Sequence, residues 1–136
     1  MILRSPADLA QNAGTRNAAQ CAKKFEQWSR LWNLALEAMQ QVDPEFATKY
    51  TALAVTMGFE GSPHIDKQNV GPFYGMSLGT FEEGEGGICV ECSARQIAHV
   101  NTRNRLGKVT LAPLLCVRLH VRYAGGWSLS TLGCTI

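Results

Sequence analysis

The sequence predicts an α+β domain in which helices precede a β-sandwich or jelly-roll-like barrel. Two observations predict it. One is a helical apolar stripe over residues 18–41; the other is a change near residue 52 to short alternating runs broken by Gly and Pro. A chain of 136 residues fits a single domain, helical over 1–50 and β-rich over 51–136, and is long enough to bury a core.

In the stripe, Ala18, Cys21, Ala22, Phe25, Trp28, Trp32, Ala35 and Met39 recur at spacings of three and four. They therefore share one side of a helix, whereas Lys23, Lys24, Glu26, Arg30 and Glu37 fall mostly elsewhere. Such a helix covers one face of a sheet, which makes Trp28 and Trp32 core residues. Asp43 followed by Pro44 predicts a second short helix. The carboxylate can accept an orphan backbone N–H there, and proline at the first helical position has no donor to lose. Strands are expected at 73–78, 88–92, 97–102 and 114–123. The loop Glu82-Glu83-Gly84-Glu85-Gly86-Gly87 lacks the following helix and Lys-Ser/Thr of a phosphate-binding loop, so it reads as a hairpin turn.

Composition excludes several classes. An apolar fraction of 46% and a charged fraction of 18% argue against a disordered chain. A net charge of +2 without a basic stripe gives no strong nucleic-acid signal. No run approaches the roughly 20 apolar residues that span a bilayer, and the N-terminus has no secretory apolar region. Five cysteines at irregular spacing make no disulfide framework, so a reducing intracellular setting, cytoplasmic or nuclear, is expected. Cys89-Val90-Glu91-Cys92 matches C-x-x-C. Residues three apart on a strand point to opposite faces, however, and no second pair follows, so isolated, partly buried thiols are expected.

His64 and Asp66 stand two apart in Ser62-Pro63-His64-Ile65-Asp66. On a strand, residues i and i+2 share a face, so an imidazole and a carboxylate can converge on one metal ion. Two imidazoles and one carboxylate with open positions make the facial triad of non-haem iron oxygenases. His-x-Asp alone is common by chance, and the neighbouring residues add specificity. The run His64-Ile65-Asp66-Lys67-Gln68-Asn69-Val70-Gly71-Pro72-Phe73-Tyr74, then Phe81, then Gly86-Gly87-Ile88-Cys89-Val90, resembles the core of the Fe(II)/2-oxoglutarate-dependent dioxygenases. The resemblance covers about residues 52–129. It departs at Ile88, where that family usually carries an acidic residue.

The resemblance implies a double-stranded β-helix behind the helices, complete or incomplete, with Fe(II) and 2-oxoglutarate as cofactors. Its iron ligands would be His64, Asp66 and a later histidine. His120, 56 residues on (120 − 64), suits the family spacing better than His99, 35 residues on (99 − 64). A second reading of His120 stays open. In the run Leu115, Val117, Leu119, Val121 and Tyr123, the alternate positions are Cys116, Arg118, His120 and Arg122, so His120 falls on the polar side between two arginines.

The basic residue that the family sets beyond that histidine, to pair with the far carboxylate of 2-oxoglutarate, is Gly126 here. No Lys or Arg follows Arg122, which leaves Arg122, or Arg118, as a substitute anchor. The C-terminal end thus reads as degenerate or truncated relative to the family. His64-x-Asp66-x-x-Asn69 is similar to the signature of the branch that oxidises methylated nucleobases, which implies a substrate contact for Asn69, with Tyr74 alongside it. Asn69 equally suits the turn Asn69-Val70-Gly71-Pro72. The substrate class, whether small molecule, protein or nucleobase, stays open. The alternative function is a catalytically inactive β-helix-fold binding domain or fragment that lacks the 2-oxoglutarate anchor.

Overall fold

Two capped helix starts organise the N-terminal third. Ser5 Oγ accepts the Asp8 N–H at 3.1 Å, and Asp43 Oδ1 accepts the Phe46 N–H at 3.0 Å; in both, proline fills the next position. In the computed structural model the described residues are 1–57, 71–81, 86–93, 95–110, 120–122 and 127–132. The elements are β1 (Ile2–Arg4), α1 (Pro6–Gln11), α2 (Ala18–Val42), α3 (Pro44–Ala47), β2 (Ala52–Met57), β3 (Phe73–Leu78), β4 (Gly87–Ser93), β5 (Gln96–Asn101), β6 (Gly107–Val109), β7 (His120–Arg122) and β8 (Trp127–Leu132).

The mixed helix-and-strand class, the long helix, the short helix after Asp43 and strand 73–78 match the expectation, and strands 88–92 and 97–102 match to within a residue at each end. Of the expected strand 114–123, residues 120–122 are extended; 114–119 and 123 lie outside the described residues. Strands β1, β2, β6 and β8 and helix α1 are beyond the strands and helices expected from sequence. Ser5-Pro6 with Asp8 was the available signal for α1.

The strands form two antiparallel sheets, a five-stranded one in the order β1-β2-β8-β3-β6 and a three-stranded one in the order β5-β4-β7. This corrects the expected hairpin at 82–87. Strands β3 and β4 belong to different sheets, so the chain leaves one sheet and enters the other between them. Alternation marks a strand but carries no information about the sheet it joins.

Strand β3 separates two cores by its pleat. Tyr74 joins Leu3, Trp32, Met39, Phe46, Tyr50, Leu53 and Val55 beneath the helices, where Trp32 stacks on Tyr50 at 4.9 Å between centroids and Phe46 meets Tyr74 at 4.8 Å. Phe73, on the other face, joins Val109 of β6 and Ile88 of β4, with Val90 and Val100 packed against them, so this second core lies between the sheets. Gly75 shares the Phe73 face, and a Cβ there would sit 2.5 Å from Ile88 Cδ1. Beyond it, Ser77 is fully buried and its hydroxyl pairs with Thr102 Oγ1 at 2.8 Å; Thr102 Oγ1 in turn donates to the Gly86 carbonyl at 2.9 Å.

Trp28 is a second correction. It is 42% exposed, because α2 bends there (φ −117°, ψ 19°) and the apolar stripe loses its phase. Trp32 and Met39, beyond the bend, are buried as expected.

Candidate metal centre

His64, Asp66 and Asn69 fall in 58–70, outside the described residues. His120 and Arg122 lie on β7, and the strand register gives their neighbours. β4 is central in its sheet. Cys89 is paired with His99 on β5 and with His120 on β7; Ile88 is paired with Val100 and Val121; Gly87 is paired with Asn101 and Arg122. Residues directly opposite in antiparallel strands share a face, and successive rows alternate faces. The Ile88 row is the one turned toward the five-stranded sheet, since Ile88 is 2% exposed and packs with Phe73 and Val109. In the alternate row, which holds His120, Cys89 is half-buried and His99 exposed. A Cβ at Gly87 would collide with the His99 imidazole, so that ring lies over the glycine, along the surface of β4. Among the described residues, no three His, Cys, Asp or Glu side chains gather as a metal site.

Tyr74 lies on the helix-facing side of β3, opposite to Phe73 and Gly75, and its hydroxyl donates to Asp43 Oδ2 at 2.6 Å. Lys108, its partner across β6, donates to the same oxygen at 2.9 Å and stands 5.3 Å from the Tyr74 ring centroid. Asp43 therefore uses one carboxylate oxygen to cap α3 and the other to bind two residues of the sheet. The Tyr74 hydroxyl, then Lys108 and the Phe46 N–H, hold the Asp43 carboxyl well below the usual carboxylate range. Burial, and then the bond to Asp43, raise the Tyr74 phenol; the bond to Asp43 raises Lys108. A cavity of about 200 Å³ opens beside this cluster, lined by Asp43, Glu45, Phe46, Lys49, Pro72 and Lys108. The cluster was missed from sequence, where Asp43 is visible only as a cap.

No protein-family model and no curated protein matches the chain. Among solved structures, a prolyl 4-hydroxylase from Phytophthora capsici is similar at a TM-score of 0.47 and 14% sequence identity, over 96% of this chain and 45% of that one. The chain thus spans less than half the length of that neighbour. Among the described residues, no helix is long and apolar enough to cross a membrane.

Proposed function

We propose that this chain is an Fe(II)/2-oxoglutarate-dependent dioxygenase-like domain whose iron site contains His64, Asp66 and His120. The observation that carries the proposal is the residue run 62–90, with its His-x-Asp pair, Phe81 and Gly86-Gly87. Strand order supports a double-stranded β-helix as its frame. β4 and β5 belong to one sheet, β6 to the other, β7 to the first again, and β8 inserts between β2 and β3. Repeated crossing between two packed sheets is how jelly-roll folds close. The segment that carries His64 and Asp66 connects β2 to β3, the two strands that flank β8.

The donor types suit iron: two neutral imidazoles and a carboxylate leave open positions on a divalent ion. Bound there, iron supplies the oxygen chemistry. The chain's own part is to hold three donors in fixed geometry and to keep a shaped, dry pocket. The keto acid fits less well. Strand β8, Trp-Ser-Leu-Ser-Thr-Leu, contains no Lys or Arg, and Gly126 precedes it. Arg122 is the proposed anchor; it neighbours Gly87, the residue without a side chain in its row. Asn69 and Tyr74 are the proposed substrate contacts; the Tyr74 ring is packed against Phe46 in the helix-side core and its hydroxyl is bonded to Asp43, so Asn69 carries the greater part of that proposal.

The second reading, a β-helix-fold domain without turnover, has one specific observation in its favour. His120 shares its row with the exposed His99 rather than with the buried Ile88. Succinate formation from 2-oxoglutarate with added Fe(II) separates the two readings. The enzyme reading expects formation by the natural chain and none above background for Asp66→Ala. Absence of succinate from the natural chain, with folding intact, leaves the second reading.

A further inference from the structure

The sheets end in strands of unequal length. β1 and β6, the edges of the larger sheet, have three residues each, whereas β5, an edge of the smaller one, has six. We infer that the free side of β5 is a docking edge for an extended peptide segment of another protein, one that carries carboxylates at both ends and joins the sheet as its next strand. The inference does not rest on the iron reading.

The bonding pattern fixes which groups the edge offers. The Thr102 N–H donates to the Gly86 carbonyl at 3.1 Å, and the register continues that ladder through Val100 opposite Ile88 and Ala98 opposite Val90. Alternate residues of an antiparallel strand bond to opposite sides, so Ala98 and Val100 turn their N–H and C=O toward β4, and Ile97 and His99 turn theirs outward. Among the described residues β4 is the one strand that pairs with β5, and no other backbone group bonds to Ile97 or His99. Natural edges are commonly guarded by charge, proline or a bulge. Gln96–Asn101 contains no Lys, Arg, Asp, Glu or Pro, and the irregularity of this ladder lies on β4, between Glu91 and Ser93. The His99 imidazole lies back over Gly87 of β4 and leaves the edge open, while Ile97, 71% exposed, offers an apolar side chain beside it. Val100 packs into the core between the sheets and so holds the strand in place.

Charge decides the occupant. Arg95 precedes the strand, Arg103 and Arg105 follow it, and among the described residues none of the three has a carboxylate partner. Arg103 is half-buried, and its Nε has no hydrogen-bond partner. Arg95 and Arg103 stand eight residues apart (103 − 95). A partner strand of about nine residues, with the same rise per residue, reaches both. Carboxylates at its two ends would meet arginine in either strand direction. A second copy of the chain fits less well. Antiparallel pairing of Ile97 with the copy's His99 sets Arg95 against Asn101, two residues from Arg103 (103 − 101), so each end would gather arginines from both chains.

The test is fluorescence anisotropy of a labelled peptide of about nine residues, alternating threonine and valine between paired aspartates, titrated with the full chain. The natural chain is expected to bind it, and to bind the same peptide with lysines in place of the aspartates roughly tenfold less tightly. Arg95→Glu combined with Arg105→Glu, a change at two exposed residues, should reverse that order. His99→Pro removes an outward N–H without taking a bond from β4, so it should lose binding, and His99→Ala should keep it. No binding by the natural chain, equal binding of the two peptides, or full binding by His99→Pro would each overturn the inference. If His99→Pro proves unstable, the charge reversal still decides, since an unchanged order of the two peptides in that variant would also overturn it. Sedimentation of the chain alone tests the second copy: no dimer through this edge is expected, and a dimer that His99→Pro dissociates would assign the edge to a copy and overturn the peptide.

Discussion

Asp43 joins helix to sheet through opposite oxygens of one carboxylate, and its surroundings predict measurable behaviour. Removing the Tyr74 hydroxyl (Tyr74→Phe) takes away a 2.6 Å bond to a charged acceptor while leaving the ring against Phe46, so it should cost about 1–2 kcal/mol in urea unfolding. The sign of the acid effect follows from the depressed Asp43 pKa. Its contribution is present above the unfolded value near about 3.9 and is lost as pH falls through the lower folded value. Acid melting curves should therefore steepen below about pH 4, and Asp43→Asn should flatten them.

At the alkaline end the sign reverses. Tyr50, pushed up to about 12 by burial, and Tyr74 and Lys108, also raised, contribute stability that is present below their unfolded values near about 10 and lost as pH rises through the folded ones. In the sequence, the Asp43-Pro44 cap is legible because its partner is three residues away. The other partners are 31 and 65 residues distant, and no local rule reaches them.

At the scale of elements, the two sheets meet where Gly75 of β3 leaves space for Ile88 of β4. Gly75→Ala should destabilise the chain by about 1–3 kcal/mol through overpacking. Ile88→Val, which removes the Cδ1 methyl nearest that Cβ, should recover part of the loss, so the double variant in equilibrium unfolding should be less destabilised than the sum of the singles. Additive losses would mean that the two residues do not share that space.

Strands β3, β4 and β5 were legible from alternation and bounding glycines, yet their sheet membership was not, because period two fixes faces and not neighbours. The three-residue strands β1 and β6 are too short for a period to register. Trp28 was misassigned for a related reason: a stripe drawn at constant 3.6-residue period passes through the bend that exposes it.

For the whole molecule, the iron reading was legible only where a specific run of residues exists, from Ser62 to Val90. The third ligand depends on which row a strand residue joins, and pairing register is a long-range property. Period-two alternation had set His120 apart from Val121, and the register agrees in pairing Val121 with buried Ile88 and His120 with Cys89. The sheets, the helical cover and the Asp43 cluster together form a frame whose proposed purpose is to carry the iron ligands His64 and Asp66.

Anaerobic Fe(II) binding tests that purpose most directly, since it needs neither a substrate nor a working keto-acid anchor. The account predicts one Fe(II) per natural chain, with affinity reduced at least tenfold in both His64→Ala and Asp66→Ala while their thermal melts stay near the natural one. Fe(II) affinity unchanged by either substitution would contradict it.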